Sequence, residues 1–251
     1  MKKFSFKRLL STAVIFAVFS ISVLPSAFAF DGPTHQYTTE KGIDLAIAIN
    51  DSSYLDFYNM DAQRKLYEFC TMPDTDETYG AYRWHFYNVA TGCNYAGEPT
   101  SALTKFQDHY NEAITCYKNH NESKAFEELG RALHFLEDMN TPVHTNNQIS
   151  GDAVLNFPLH ITFEKHCVKV QSNYNANMSI KECEYYKNNS LKTIGINSAM
   201  LSSDNFYLLD KQIYSITKIA ENSIINAQKA VCGTLYKFYN DIHWERRTYY
   251  V

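Results

Sequence analysis

Two histidine–carboxylate pairs at helical spacing, one on either side of a proline, constrain this chain more than any other feature. Between residues 133 and 164, His134 and Asp138 stand four apart, and so do His160 and Glu164. At 3.6 residues per turn the members of each pair share one helix face. Pro142 lies between the pairs; it lacks the N–H of an interior turn and clashes with the turn before it, so the first helix ends there. His144 then sits at the helix exit, free to face a different cation from the one His134 faces. Imidazole nitrogen combined with carboxylate oxygen suits zinc. A His and an Asp four apart also occur on ordinary solvated helices, but three histidines and two carboxylates in one short segment weaken that reading.

Residues 1–29 read as an export leader. Lys2, Lys3, Lys7 and Arg8 precede an apolar stretch from Leu9 to Leu24, and Ala27-Phe28-Ala29 supplies an A-x-A cleavage site. Cleavage there makes Phe30 the new N-terminus of one 222-residue domain, 30–251. The apolar stretch is short of the roughly 20 residues that comfortably span a bilayer, and no second candidate follows. The expectation is a secreted or periplasmic enzyme, monomeric and without a transmembrane anchor. Removing the leader takes the formal charge from -4 to -8, against a broad cationic nucleic-acid surface. Bound divalent metals would still invert the field locally, so a phosphate-bearing substrate is compatible with an acidic chain. All six cysteines lie beyond the leader and favour up to three disulfides, with Cys70–Cys93 and Cys167–Cys183 the sequentially close candidates.

Along the chain, Asp31 to Thr34 reads as a turn and Thr38 to Asn50 as a helix capped by Thr38 or Thr39. A short helix over Asp61 to Cys70 follows, then a stretch from Thr71 to Gly92 with no helical period, dense in turn and aromatic residues. A structureless loop of that length makes sense as an active-site wall. Helices are predicted over Pro99 to Lys118, Ser123 to Asn140 and Pro158 to Val170, then a polar surface excursion. From Ser202 to Phe238 one long helix, or two joined near Asp210, carries Gly233 as a weak point. Strand candidates are too few and too broken for a sheet, so the fold class is all-α, single domain.

The run LGRALHFLEDMNTPVHTNN followed by HITFE resembles the zinc-dependent phospholipase C family, which shares its helical fold with single-strand-specific zinc nucleases. The family's His and Asp four apart, Pro-x-His, nearby Asn and His-x-x-x-Glu correspond to His134, Asp138, Pro142, His144, Asn146, His160 and Glu164. Upstream, CTMPD and WHFYN resemble the family's Asp…His-Phe segment, which places Asp74 and His85, with Asp76 as a rival to Asp74. Family members begin with a Trp whose amine and carbonyl bind zinc beside a nearby His; here Phe30 and His35 stand in those places.

The resemblance implies three zinc ions. One is held by Asp74, His85, His134 and Asp138, and a second by His144, His160 and Glu164. The third is held by the Phe30 backbone, His35 and the other oxygen of Asp138. It also implies hydrolysis of a phospholipid phosphodiester at a membrane or micelle surface, with Asp74 able to orient or deprotonate the attacking water. Tyr82 and Asp31 are candidates for the head-group wall, by cation–π attraction and negative charge. The family's Tyr after the first Asp is Thr75 here, so choline preference does not carry over. The alternative function is that of the nucleases, whose short interval between the first residue and the first His resembles Phe30 to His35. Glu164, where nucleases tend to have Asp, points to the lipase branch.

Overall fold

The computed structural model describes residues 32–50, 52–146 and 157–248. The leader, Phe30 and Asp31 lie outside the described residues. Among those described there is no strand, only an isolated antiparallel bridge between Asn88 and Cys93. The elements in order are α1 (Gly32–Ile49), α2 (Ser52–Phe57), α3 (Met60–Phe69), α4 (Pro73–Asp76), α5 (Tyr79–Tyr82), a 3-10 turn Arg83–His85, α6 (Ala102–Lys118) and α7 (Glu122–Asp138). A second 3-10 turn, Pro142–His144, is followed by α8 (Phe157–Val170), α9 (Ile180–Asn188), α10 (Leu191–Asp210) and α11 (Ile216–Thr248). The fold is all-α, as expected.

The central element is α7. Asn121 caps it, its side-chain oxygen accepting from the Lys124 N–H, and Glu122 places negative charge at the positive end of the helix dipole. Every residue from Ala132 to Asp138 is buried, because α6, α3, α1 and α11 cover it on all sides. Leu129, Leu133 and Leu136 join Phe106, Tyr110 and Phe238 in the main core. A smaller cluster of Val143, Phe163, Phe206, Leu209 and Ile224 fixes α8 against α10 and α11. His134, Glu137 and Asp138 thus stand in an interior where an unpaired polar group is costly. Gly130 lets α3 approach: a Cβ there would lie 2.9 Å from the Phe69 Cβ and 3.1 Å from the Leu66 carbonyl oxygen.

Several sequence expectations need correction. The first helix begins at Gly32 rather than Thr38, since Pro33 in the first turn has no N–H to lose. Thr38 and Thr39 are accordingly interior residues of α1, not caps. The expected structureless stretch 71–92 contains α4, α5 and the first 3-10 turn, too short to leave a helical period. The helix expected from Pro99 starts at Ala102, where Ser101 and Thr104 form a capping box. The polar excursion holds α9, which is buried only at Cys183 and packs on α11. Gly233 is not a weak point but a contact, because a Cβ there would lie 2.2 Å from the Tyr186 ring. The break expected near Asp210 is present, over residues 211–215.

The six cysteines are free thiols. Cys70 donates instead to the Tyr67 carbonyl, 3.1 Å away. Cys167 and Cys183 lie in different hydrophobic clusters, so neither expected pairing is made. The neighbour of Cys183 is Cys232, across the α9–α11 contact.

Candidate metal centre

His35, His85, His134 and His144 each have one nitrogen committed to an outer partner and the other turned inward. His134 donates from Nδ1 to the Cys70 carbonyl (2.7 Å), leaving Nε2 facing His85 Nδ1 at 3.0 Å. His85 in turn directs Nε2 at the Glu77 carbonyl (3.3 Å). With both outer nitrogens donating, the two inward nitrogens present lone pairs to each other, the arrangement of two ligands to one cation. Asp138 Oδ2 lies 3.1 Å from His85 Nδ1 and 3.4 Å from His134 Nε2. Asp74 Oδ1 lies 3.7 and 3.6 Å from the same two atoms.

The other groups follow the same logic. His144 donates from Nδ1 to the His85 carbonyl (2.8 Å) and turns Nε2 to His160 Nε2 (3.1 Å), with Glu164 Oε1 2.6 Å from the latter. His35 gives Nδ1 to Glu137 (2.5 Å), and its Nε2 faces Asp138 Oδ1 at 3.7 Å. That Asp138 oxygen is buried with no hydrogen-bond partner, as suits a ligand atom. Three groups have ligand atoms close enough to hold an ion: His35, Asp74 and His134; His85, His134 and Asp138; and His144, His160 and Glu164.

The fold explains why these side chains meet. His134 and Asp138 lie one turn apart at the buried end of α7, and His160 and Glu164 one turn apart on α8. The two 3-10 turns are tied by the Tyr87 N–H donating to the His144 carbonyl (3.0 Å), and His144 stacks on Phe86 with centroids 4.4 Å apart. Burial separates Asp74 from Asp76. Asp74 is 4 % exposed inside the cluster, whereas the Asp76 side chain is 41 % exposed and takes both terminal nitrogens of Arg131, at 2.8 and 2.5 Å. Tyr82 is half-buried with its ring edge on His85, 5.7 Å between centroids, in a left-handed backbone conformation (φ 63°) that a bulky residue rarely adopts.

Protonation is set chiefly by burial, which pushes His35 and His134 well below the usual imidazole range and His85 down to about 4. Neutral imidazoles are the form that binds a metal. Burial also drives the Asp138 carboxyl well above its usual range, and a divalent cation beside it would reverse that cost. For Glu164, burial raises the value, but His160 and His144 outweigh it and hold the carboxyl below its ordinary range.

A charged network missed in the sequence clamps the wall that carries Asp74 and His85. Glu77 accepts from Arg131 (3.0 Å), lies 2.9 Å from His109 Nε2 as an ion pair and pairs with Lys105, while His109 Nδ1 meets Glu128 at 2.6 Å. Despite burial, His109 and the lysines beside them hold Glu77 and Glu128 at about 2, and the two carboxylates raise His109 above 6.5. The depressed carboxylates stabilise the fold above pH 4.5 and lose this as pH falls towards 2. His109, being raised, contributes fully below pH 6.5 and loses its contribution as pH rises through its folded value. The Tm gap between the parent protein and His109→Gln is therefore expected to be widest between pH 5 and 6.5. It should narrow by pH 9; a gap that does not vary over this range would contradict the assignment.

The sequence profile of the family described as zinc dependent phospholipase C matches residues 34–222. The phospholipase C of Paraclostridium bifermentans is 28% identical over 255 residues, covering 86% of this chain and 62% of that protein. That of Clostridium perfringens is 25% identical over 195 residues, with 68% and 48% covered. The alpha toxin of Clostridium absonum superposes with a TM-score of 0.73 at 21% identity, over 88% of this chain and 65% of the toxin. The chain thus spans under two thirds of the length of these relatives, and the structural likeness speaks for the fold alone. No helix among the described residues is long and apolar enough to cross a membrane. The profile match runs through His35, Asp74, His85, His134, Asp138, His144, His160 and Glu164, the residues whose ligand atoms converge in the fold, and the chain belongs to the zinc dependent phospholipase C family.

Proposed function

We propose that this chain is an exported phospholipase C that hydrolyses the glycerol-side phosphodiester bond of phospholipids, giving diacylglycerol and a phosphorylated head group. The observation that carries the reading is the pair of Asp138 oxygens facing two different sets of histidines, His85 with His134 on one side and His35 on the other. Asp74, His85, His134 and Asp138 would hold one zinc, His144, His160 and Glu164 a second, and His35, Asp138 and the Phe30 backbone a third. Bound zinc supplies a nucleophilic water at neutral pH and offsets charge developing on the phosphodiester oxygens. Asp74, buried beside His85 and His134, orients that water or takes its proton, and Tyr82 and Asp31 are the candidates for the head-group wall. The expected product is a monomer, residues 30–251, working at a lipid surface after the leader is removed.

Turnover of phosphatidylcholine and other phospholipids by the purified mature protein, with single-stranded DNA as counter-substrate, tests the reading. Lipid hydrolysis supports it; cleavage of DNA without lipid turnover would reassign the chain to nuclease chemistry. A second test addresses the amino terminus. A protein beginning Met-Phe30, with the methionine retained, displaces the ligating amine and is expected to lose one zinc while keeping its helicity. Equal zinc content and activity in extended and authentic chains would show that Phe30 is not a ligand.

A further inference from the structure

Glu137 stands beside Asp138 on α7, fully buried, and points to α1 rather than to the metal cluster. Its Oε2 receives His35 Nδ1 at 2.5 Å, and its Oε1 receives the hydroxyls of Thr38 at 2.8 Å and Thr39 at 2.9 Å. Residues 35, 38 and 39 share one face of α1, so a single carboxylate gathers three donors from the helix start. Three of the other inward-facing histidines lean on uncharged partners: His134 on the Cys70 carbonyl, His144 on that of His85, and His85 on that of Glu77. A carboxylate behind an imidazole fixes its tautomer and makes the opposite nitrogen a better ligand.

We propose that Glu137 is a positioning residue that directs His35 Nε2 towards a divalent cation at the Oδ1 side of Asp138 and, through Thr38 and Thr39, docks the start of α1 at that ion. The inference rests on the reading that a cation sits between His35 and Asp138, 3.7 Å apart. It makes one of three ions depend on Glu137. Glu137→Gln keeps the volume and an acceptor for His35 but removes the charge.

The test is a chelator titration of the zinc-loaded mature protein, following zinc release in the parent and in two variants, Glu137→Gln and Thr39→Val. In Glu137→Gln, one ion is expected to leave at roughly 10- to 100-fold lower chelator concentration while the other two are held as in the parent. Thr39→Val keeps the carboxylate but removes one of its donors; it should shift the same ion less, and it decides the matter if Glu137→Gln does not fold. In the background of His35→Ala, Glu137→Gln should add no further shift, as expected of a residue acting through the imidazole. Unshifted release in the variants, or equal weakening of all three ions, would overturn the role of Glu137 and leave the three-ion reading intact. A parent that holds fewer than two ions would instead remove that reading, and the inference with it.

Discussion

Asp138→Asn is expected to strip one or two zinc ions from each chain and to lower kcat on short-chain phosphatidylcholine by about a thousandfold or more. The substitution keeps the side-chain volume but removes the charge and one good oxygen ligand. Asp138 Oδ2 faces His85 and His134 while Oδ1 faces His35, so a single change weakens two sites together. Cations that stabilise developing oxygen charge contribute several kcal/mol, and each ~1.4 kcal/mol is tenfold in rate. An amide also donates from its nitrogen, which would point an N–H at imidazole lone pairs or at a cation. Tyr82→Ala is the matched control, since Tyr82 packs against the His85 ring, 5.7 Å between centroids. It should leave the zinc content intact and alter the choice among phospholipids. Near-normal lipid turnover by Asp138→Asn would remove the bridged-metal account.

Removal of zinc by a strong chelator is expected to lower the Tm by well over ten degrees, with the loss concentrated where the ligands come from. An ion at a thousand times its Kd stabilises the native state by about 4 kcal/mol. In a chain of this size 1 kcal/mol moves Tm by roughly 2–4 °C. Without metal, the lone pairs of His85 and His134 oppose each other 3.0 Å apart and Asp138 is left in an apolar interior. Hydrogen exchange should therefore rise first in the α4 to 3-10 segment and at the start of α1, which the cluster ties to α7. The packing of Phe106, Leu133 and Phe238 does not involve the ligands, so most helicity should survive at low temperature. Identical melting with and without chelator would contradict this.

Much of this centre was legible in the sequence because its strongest signal is local. His134 with Asp138, and His160 with Glu164, declare themselves by spacing alone, and Pro142 marks where the first helix must stop. Positions outside regular helices were less legible. Asp74 and Asp76 are two residues apart in one short segment, and what separates them is Arg131 on α7, a partner 55 residues away. Glu137 looked like any helix glutamate, because its role depends on α1 lying across α7. The cap of α9 was readable as Ser179 with Glu182, a capping box that the polar composition around it obscured. Cysteine spacing misled for a simple reason. Sequence neighbours such as Cys167 and Cys183 fall into different cores, while Cys183 meets Cys232 from a helix far along the chain.

The central claim is that the histidines and carboxylates converging at the end of α7 hold metal. Its most direct test is the zinc content of the mature chain beginning at Phe30, measured by elemental analysis after loosely bound ions are removed. The account predicts close to three ions per chain, and a stoichiometry near zero would contradict it.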